Sequence, residues 1–160
     1  MEIKLVRIDN RLIHGQVATV WSRAVKCNRI LVVSNEVAKD ELRKLLLKEV
    51  TPIGIKSNVI TVEKMIRIIN DPRFDDFKVL LLFTNPMEVL EVVQGGVEIN
   101  SINVGGMSFR EGKTQITSAV SVNDEDIEAF KKLNDLGIEL EIRKIVKDKR
   151  EYIMDKIEKL

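Results

Sequence analysis

Short runs of Ile, Val and Leu recur along the chain between longer stretches of helical periodicity. They predict strands at Ile3–Ile8, Arg29–Val33, Lys78–Phe83, Ile99–Val104, Gln115–Val120 and Ile138–Ile142. A weaker run at Ile53–Lys56 brings the expected count to about six or seven. Val79-Leu80-Leu81-Leu82-Phe83 is apolar at every position, the mark of a central parallel strand covered on both faces. Helices are predicted over Gln16–Arg23, Glu36–Glu49, Val62–Asn70, Pro86–Val93, Asp124–Asp135 and Lys149–Leu160. Ser34-Asn35, Thr61 and Asn123 stand at their starts, Pro86 opens a first turn, Asn70-Asp71-Pro72 closes the third and Gly137 suits a left-handed C-cap. Strand and helix in regular alternation imply right-handed crossovers and an α/β fold: one open, mainly parallel twisted sheet with helices on both faces. The last helix carries charges on most faces and is expected to be solvated.

Length and composition narrow the classes. The 160 residues, 44% apolar and 32% charged, suit a single domain over positions 1–160 with one well-buried core. Lys and Arg total 26 against 25 acidic residues, so the near-neutral balance gives no case for a nucleic-acid binder. Seven aromatic side chains (five Phe, one Trp, one Tyr) leave few platforms for stacking bases. Cys27 is the one cysteine, which excludes an internal disulfide and a cysteine metal cage and reads as a small buried residue. No apolar run approaches the roughly 20 residues of a membrane span, and the chain opens on a strand-like segment rather than a signal peptide. The expected location is the cytoplasm.

Ligands of open α/β sheets lie beyond the carboxyl ends of the strands, so the loops there carry the functional information. After the first strand, Asp9-Asn10-Arg11-Leu12-Ile13-His14-Gly15 gathers a carboxylate, an amide, a guanidinium and the single histidine of the chain, then leads into a helix. A neutral imidazole nitrogen is a nucleophile near pH 7 and accepts a phosphoryl group reversibly. Arg11 offers a bidentate fork for phosphoryl oxygens, and the backbone N–H groups of Gly15, Gln16 and Val17 open a helix, where an anion is favoured. Asp9 has two available roles, orienting Arg11 or holding one imidazole nitrogen, and the pattern does not choose between them. An ordinary loop histidine beside a solvent-facing arginine fits the same spacing. With a single histidine in the loop, a metal site there would have only carboxylates as co-ligands, and none is expected.

Two further loops stand out. Thr84-Asn85-Pro86 offers a hydroxyl and an amide to a phosphate, although a helix N-cap explains it more simply. Asn103-Val104-Gly105-Gly106-Met107-Ser108 brings paired glycines that suit a close backbone approach or equally a tight turn. Neither G-x-G-x-x-G nor a P-loop ending is present, so nucleotide binding has little support and no cofactor is expected.

The segment Val6-Arg7-Ile8-Asp9-Asn10-Arg11-Leu12-Ile13-His14-Gly15-Gln16-Val17 resembles the active-site loop of the mannose/fructose/sorbose-type IIB components of the bacterial sugar phosphotransferase system. The resemblance extends through Leu82-Phe83-Thr84-Asn85-Pro86, Asn103-Val104-Gly105-Gly106-Met107 and Gln115–Val120, in the family's usual order. It implies a protein-histidine phosphotransferase in which His14 takes a phosphoryl group from a phosphohistidine on a separate IIA protein, through Nδ1, and passes it to a sugar entering through membrane IIC and IID subunits. It also implies a peripheral position at the inner face of the membrane. Arg11 and His14 are then the catalytic pair, with Asp9, Asn10, Gly15, Gln16 and Thr84 as phosphoryl-binding or supporting residues. Such a relay is expected on an accessible rim, with Arg7, Arg11, Arg23, Lys26 and Arg29 as candidates to steer an acidic partner. The contrasting classes are a small-ligand-binding module without covalent chemistry and a purely regulatory interaction protein.

Overall fold

The computed structural model describes residues 1–160, except for the side chain of Gln16. In chain order the elements are β1 (Glu2–Asp9), α1 (Gly15–Val25), β2 (Arg29–Val33), α2 (Asn35–Ala38), α3 (Glu41–Glu49), β3 (Lys56–Ile60) and α4 (Val62–Ile68). A single 3-10 turn at Pro72–Phe74 precedes β4 (Lys78–Phe83) and α5 (Pro86–Gln94). Then follow β5 (Ser101–Gly106), β6 (Thr114–Gln115), β7 (Ser121–Val122), α6 (Asp124–Asp135), β8 (Glu139–Ile142), β9 (Glu151–Tyr152) and α7 (Ile153–Ile157). No helix among the described residues is long and apolar enough to cross a membrane.

The main sheet has seven strands in the order β3-β2-β4-β1-β5-β8-β9, all parallel except the antiparallel edge strand β9. The α/β, mainly parallel architecture expected from the alternation is therefore present, and β4 and β1 lie at its centre. Period-2 alternation sorts the side chains. Val6 and Ile8 of β1 with Val79, Leu81 and Phe83 of β4 join the core under α4 to α7. Leu80 and Leu82 instead meet Leu12, Ile13, Trp21, Val37 and Leu47 under α1 to α3. Arg7 and Asp9 occupy the alternate positions of β1, which turns them toward the α1 side.

Topology positions the functional end. From β1 the chain travels toward β2 and β3, whereas from β4 and β5 it travels the other way, toward β8. With right-handed crossovers, the loops leaving β1 and β5 diverge to opposite faces and open a crevice at the carboxyl ends of these two strands.

Several elements depart from the sequence expectation for local reasons. The Glu36–Glu49 helix is broken into α2 and α3 because the Asp40 carboxylate accepts from Arg43 N at 3.0 Å and caps a new start. The Gln115–Val120 segment touches the main sheet only through an isolated parallel bridge of Val120 to Met107, just past β5. It is reduced to β6, which pairs only with β7, because the Thr117 hydroxyl accepts from Ala119 N and Val120 N and turns the chain. The weak strand lies at Lys56–Ile60 rather than Ile53–Lys56, after a turn through Gly54 at φ 88°. The final segment begins as edge strand β9, and α7 buries Ile153 and Ile157, so it is not a solvated helix from Lys149 onward. Asn123 and Asp126 form the capping box of α6, and Gly137 takes φ 81° just past its end.

Candidate functional site

Strand β1 ends at Asp9, and the five residues before α1 form a tight loop. Leu12 and Ile13 are buried in the α1-side core and anchor the loop from beneath. Leu12 adopts φ 60° with its N–H on Asp9 O at 2.9 Å, and Gly15 adopts φ 46°. These two left-handed residues bend the chain so that Asp9, Arg11 and His14 converge. For Leu12, burial of the side chain offsets the strain of that backbone.

Asp9 is the hub. Its Oδ1 accepts from Arg11 N and Arg11 Nε, each at 3.1 Å, and its Oδ2 accepts from Arg11 Nη2 at 3.3 Å and Arg7 Nη2 at 3.1 Å. The same Oδ2 lies 3.1 Å from His14 Nε2. Both roles left open for Asp9 are thus filled together. Its side chain is fully buried, whereas those of His14 and Arg11 are 24% and 42% exposed. Burial by itself would raise the Asp9 carboxyl, but the Arg11 hydrogen bonds, the Arg7 charge and the His14 contact outweigh it and hold the group below the usual carboxylate range. Asp9 is therefore an anion at neutral pH, and His14 Nε2 is best matched to it as an N–H donor. Nδ1 makes no hydrogen bond among the described residues.

Arg7 is the residue that sequence reasoning misplaced. It was expected among the steering charges, yet it is buried behind Asp9. Its Nη1 donates to Asn103 Oδ1 and, at 3.0 Å, to Arg143 O, and its Nη2 donates to Lys144 O at 3.1 Å. Asn103 Nδ2 in turn donates to buried Glu141 at 3.1 Å, which pairs with Arg143 at 2.9 Å. The Trp21 ring has the Arg7 and Arg143 guanidiniums each 5.1 Å from its centroid, and its Nε1 donates to Lys144 O at 3.1 Å. Burial pulls the Arg7 pKa down and Asp9 opposes the shift. A signal was available: Arg7 and Glu141 interrupt strands that are apolar on either side, where a charge must be paired.

The steering group is not assembled either. Arg23 and Lys26 lie at the far end of α1, and Arg29 starts β2 with its guanidinium 4.1 Å from the Phe77 ring, so all three stand toward the amino ends of the strands, opposite the carboxyl ends where Arg11 lies.

Of the other predicted residues, Asn10 ties the loop to β5, donating from its N–H to Gly106 O at 3.1 Å and accepting from Ser108 Oγ at 3.1 Å. Thr84 is not drawn into the Asp9 network; its Oγ1 accepts from Asn85 Nδ2 at 3.1 Å, and Asn85 caps α5. Gly15 begins α1, whose N-cap His14 makes no side-chain cap and leaves the first-turn N–H groups unclaimed by it. The Gln16 side chain lies outside the described residues. The paired glycines have separate tasks: a Cβ on Gly105 would run into the Arg7 guanidinium, and one on Gly106 would sit 3.1 Å from Arg11 Nη2. Among the described residues no group of three or more His, Cys, Asp or Glu is placed to hold a metal ion.

A histidine in contact at one nitrogen with a buried carboxylate, after the first strand of a parallel sheet, is one of the two arrangements that the loop sequence left open for Asp9. The family model for the PTS system sorbose subfamily IIB component matches residues 3–160. The chain belongs to this family. It is 56% identical over its 160 residues to the mannose-specific EIIAB component of Escherichia coli K12, spanning 50% of that relative's length. The chain thus spans about half of that curated relative. It is also 47% identical over 160 residues to the sorbose-specific EIIB component of Lacticaseibacillus casei, covering 98% of it. The IIBSor domain of the sorbose permease from Klebsiella pneumoniae superposes with a TM-score of 0.97 at 45% identity, covering 99% of this chain and 98% of that one.

Proposed function

We propose that His14 is a phosphoryl relay: it accepts the group from a phosphohistidine on a IIA partner and passes it to a sugar during uptake through IIC and IID. The observation that carries this reading is the contact between His14 Nε2 and the buried Asp9 carboxylate, because it leaves Nδ1 as the nucleophile. In the first step the Nδ1 lone pair attacks phosphorus in line as the donor N–P bond breaks, and the donor imidazole takes back the electron pair. In the second, a sugar hydroxyl attacks, its proton departs to solvent or a base, and the bond to Nδ1 breaks. Asp9 holds the tautomer that makes Nδ1 nucleophilic and compensates the imidazolium character of phosphohistidine.

Arg11 supplies the second charge. Its Nε and Nη2 grip Asp9 while Nη1 stands outside that grip, and 42% side-chain exposure lets the fork reach phosphoryl oxygens. The first-turn N–H groups of α1, Gly15 included, add donors aimed at the same side. The partial exposure of His14 suits a macromolecular donor. In this reading residues 1–160 act as one IIB-type domain, a protein-histidine phosphotransferase docked at the inner face of the membrane through IIC and IID. Thr84 neighbours the α5 cap, and its hydroxyl, which accepts from Asn85, keeps an O–H to donate to a phosphoryl oxygen.

Incubation with phosphoenolpyruvate, the general phosphotransferase proteins and a IIA protein is expected to place acid-labile phosphate on the chain and none on His14→Ala. Label retained in His14→Ala would overturn the assignment. Arg11→Lys is expected to slow transfer by about tenfold or more with little change in unfolding midpoint, since a point charge cannot reproduce the fork. An unchanged rate would remove Arg11 from the mechanism.

A further inference from the structure

Beside the His14 site lies a crevice that shares Arg11 with it but is lined by neither His14 nor Asp9. It occupies the divergence between the carboxyl ends of β1 and β5, has a volume of about 450 Å³, and is walled by the Asn10-Arg11 loop, the Gly106–Phe109 segment, the β6–β7 hairpin and Lys144. The volume falls within the range of small-molecule sites, and the position is where open α/β sheets bind their ligands.

Its chemistry is selective. Arg11 and Lys144 bring two positive charges, and no carboxylate lines it among the described residues. The remaining polar groups are hydroxyls and amides, Ser108, Ser118, Ser121, Gln115 and Asn10, which serve as both donors and acceptors. Phe109 sets an aromatic ring at the edge, 66% exposed, where it offers a flat apolar face. Gly106 keeps the floor low, since a side chain there would crowd Arg11. A dianion, several hydroxyls and one apolar ring face are the complement of this wall.

We infer that the crevice binds a phosphate monoester of a polyhydroxylated ring compound, a sugar phosphate, with the phosphate between Arg11 and Lys144, hydroxyls on Asn10, Gln115 and Ser118, and the ring against Phe109. The choice of a sugar rests on the relay reading, whereas the anion and polyol preferences rest on the wall alone. Because Arg11 also belongs to the His14 network, an occupant competes with the phosphoryl group for this guanidinium. The site thereby couples accumulated product to the relay.

The test is an amide NMR titration of the unphosphorylated protein, with no phosphoryl donor present, in three separate arms: a hexose 6-phosphate, the free hexose and inorganic phosphate. The expected result is saturable shifts at Ser108, Phe109, Ser118 and Lys144 with the hexose phosphate, tighter than either other probe and weakened about tenfold in Lys144→Ala. Lys144 is exposed, so this variant is expected to fold, and its spectrum away from the crevice verifies that. No saturable shift at these residues would overturn the inference. Equal affinity for inorganic phosphate would reduce the crevice to an adventitious anion site, and equal affinity for the free hexose would remove the cation pair. The His14 labelling assay is read independently, so failure of the relay and failure of this site are distinguishable.

Discussion

Asp9 receives hydrogen bonds from Arg7, Arg11 and His14 while fully buried, and its charge state therefore governs the site. Its folded pKa lies below the ordinary value of 3.8, so the native state binds this proton more weakly than the unfolded chain does. The resulting stabilisation is complete above the unfolded value and is lost as pH falls through the folded one. Urea midpoints measured between about pH 3 and 6 are expected to fall on acidification below about pH 4, and to fall less steeply in Asp9→Asn. At neutral pH that variant is expected to be about 2–4 kcal/mol less stable, because buried Arg7 loses its counter-charge. The glycines give a paired test. Gly105→Ala sets a methyl group against the locked Arg7 guanidinium, for an expected loss of about 2–3 kcal/mol. Gly106→Ala places its methyl group 3.1 Å from Arg11 Nη2 and 3.3 Å from Asp9 Oδ1, a crowding of tenths of an ångström rather than a clash, and is expected to cost less, about 1 kcal/mol. Equal denaturation midpoints for the two variants would contradict this division of roles.

At the scale of elements, α1 carries His14 at its first turn and ends at Lys26, which adopts φ 56° and donates its N–H to Arg23 O. A lysine is strained there, so Lys26→Gly is expected to raise stability by about 0.5–1 kcal/mol, read as a higher thermal midpoint. The strands of the central sheet were legible because their apolar runs are buried on both faces, as in Val79–Phe83. The edges were not. Lys56–Ile60 reads as polar because one side of an edge strand faces solvent, and Glu151–Tyr152 is too short to carry a period. Asp40 and Thr117 redirected the chain through side-chain hydrogen bonds to backbone, which periodicity does not register.

For the molecule as a whole, the sheet order places β1 between β4 and β5 and turns a contiguous heptapeptide into a site flanked by a crevice. The candidate relay residues were legible because Asp9, Arg11 and His14 are local in sequence. Their support was not: Arg7 reaches Asn103, Arg143 and Lys144 across about a hundred residues or more, through pairings that only the fold creates. The central claim is that this support fixes His14 Nε2 on Asp9 and leaves Nδ1 to carry phosphate. Its most direct test is 31P and 15N NMR of the protein phosphorylated with a IIA protein as donor, which distinguishes the two phosphoramidates. The account predicts phosphorus bonded to Nδ1 of His14; phosphorus on Nε2 would contradict it.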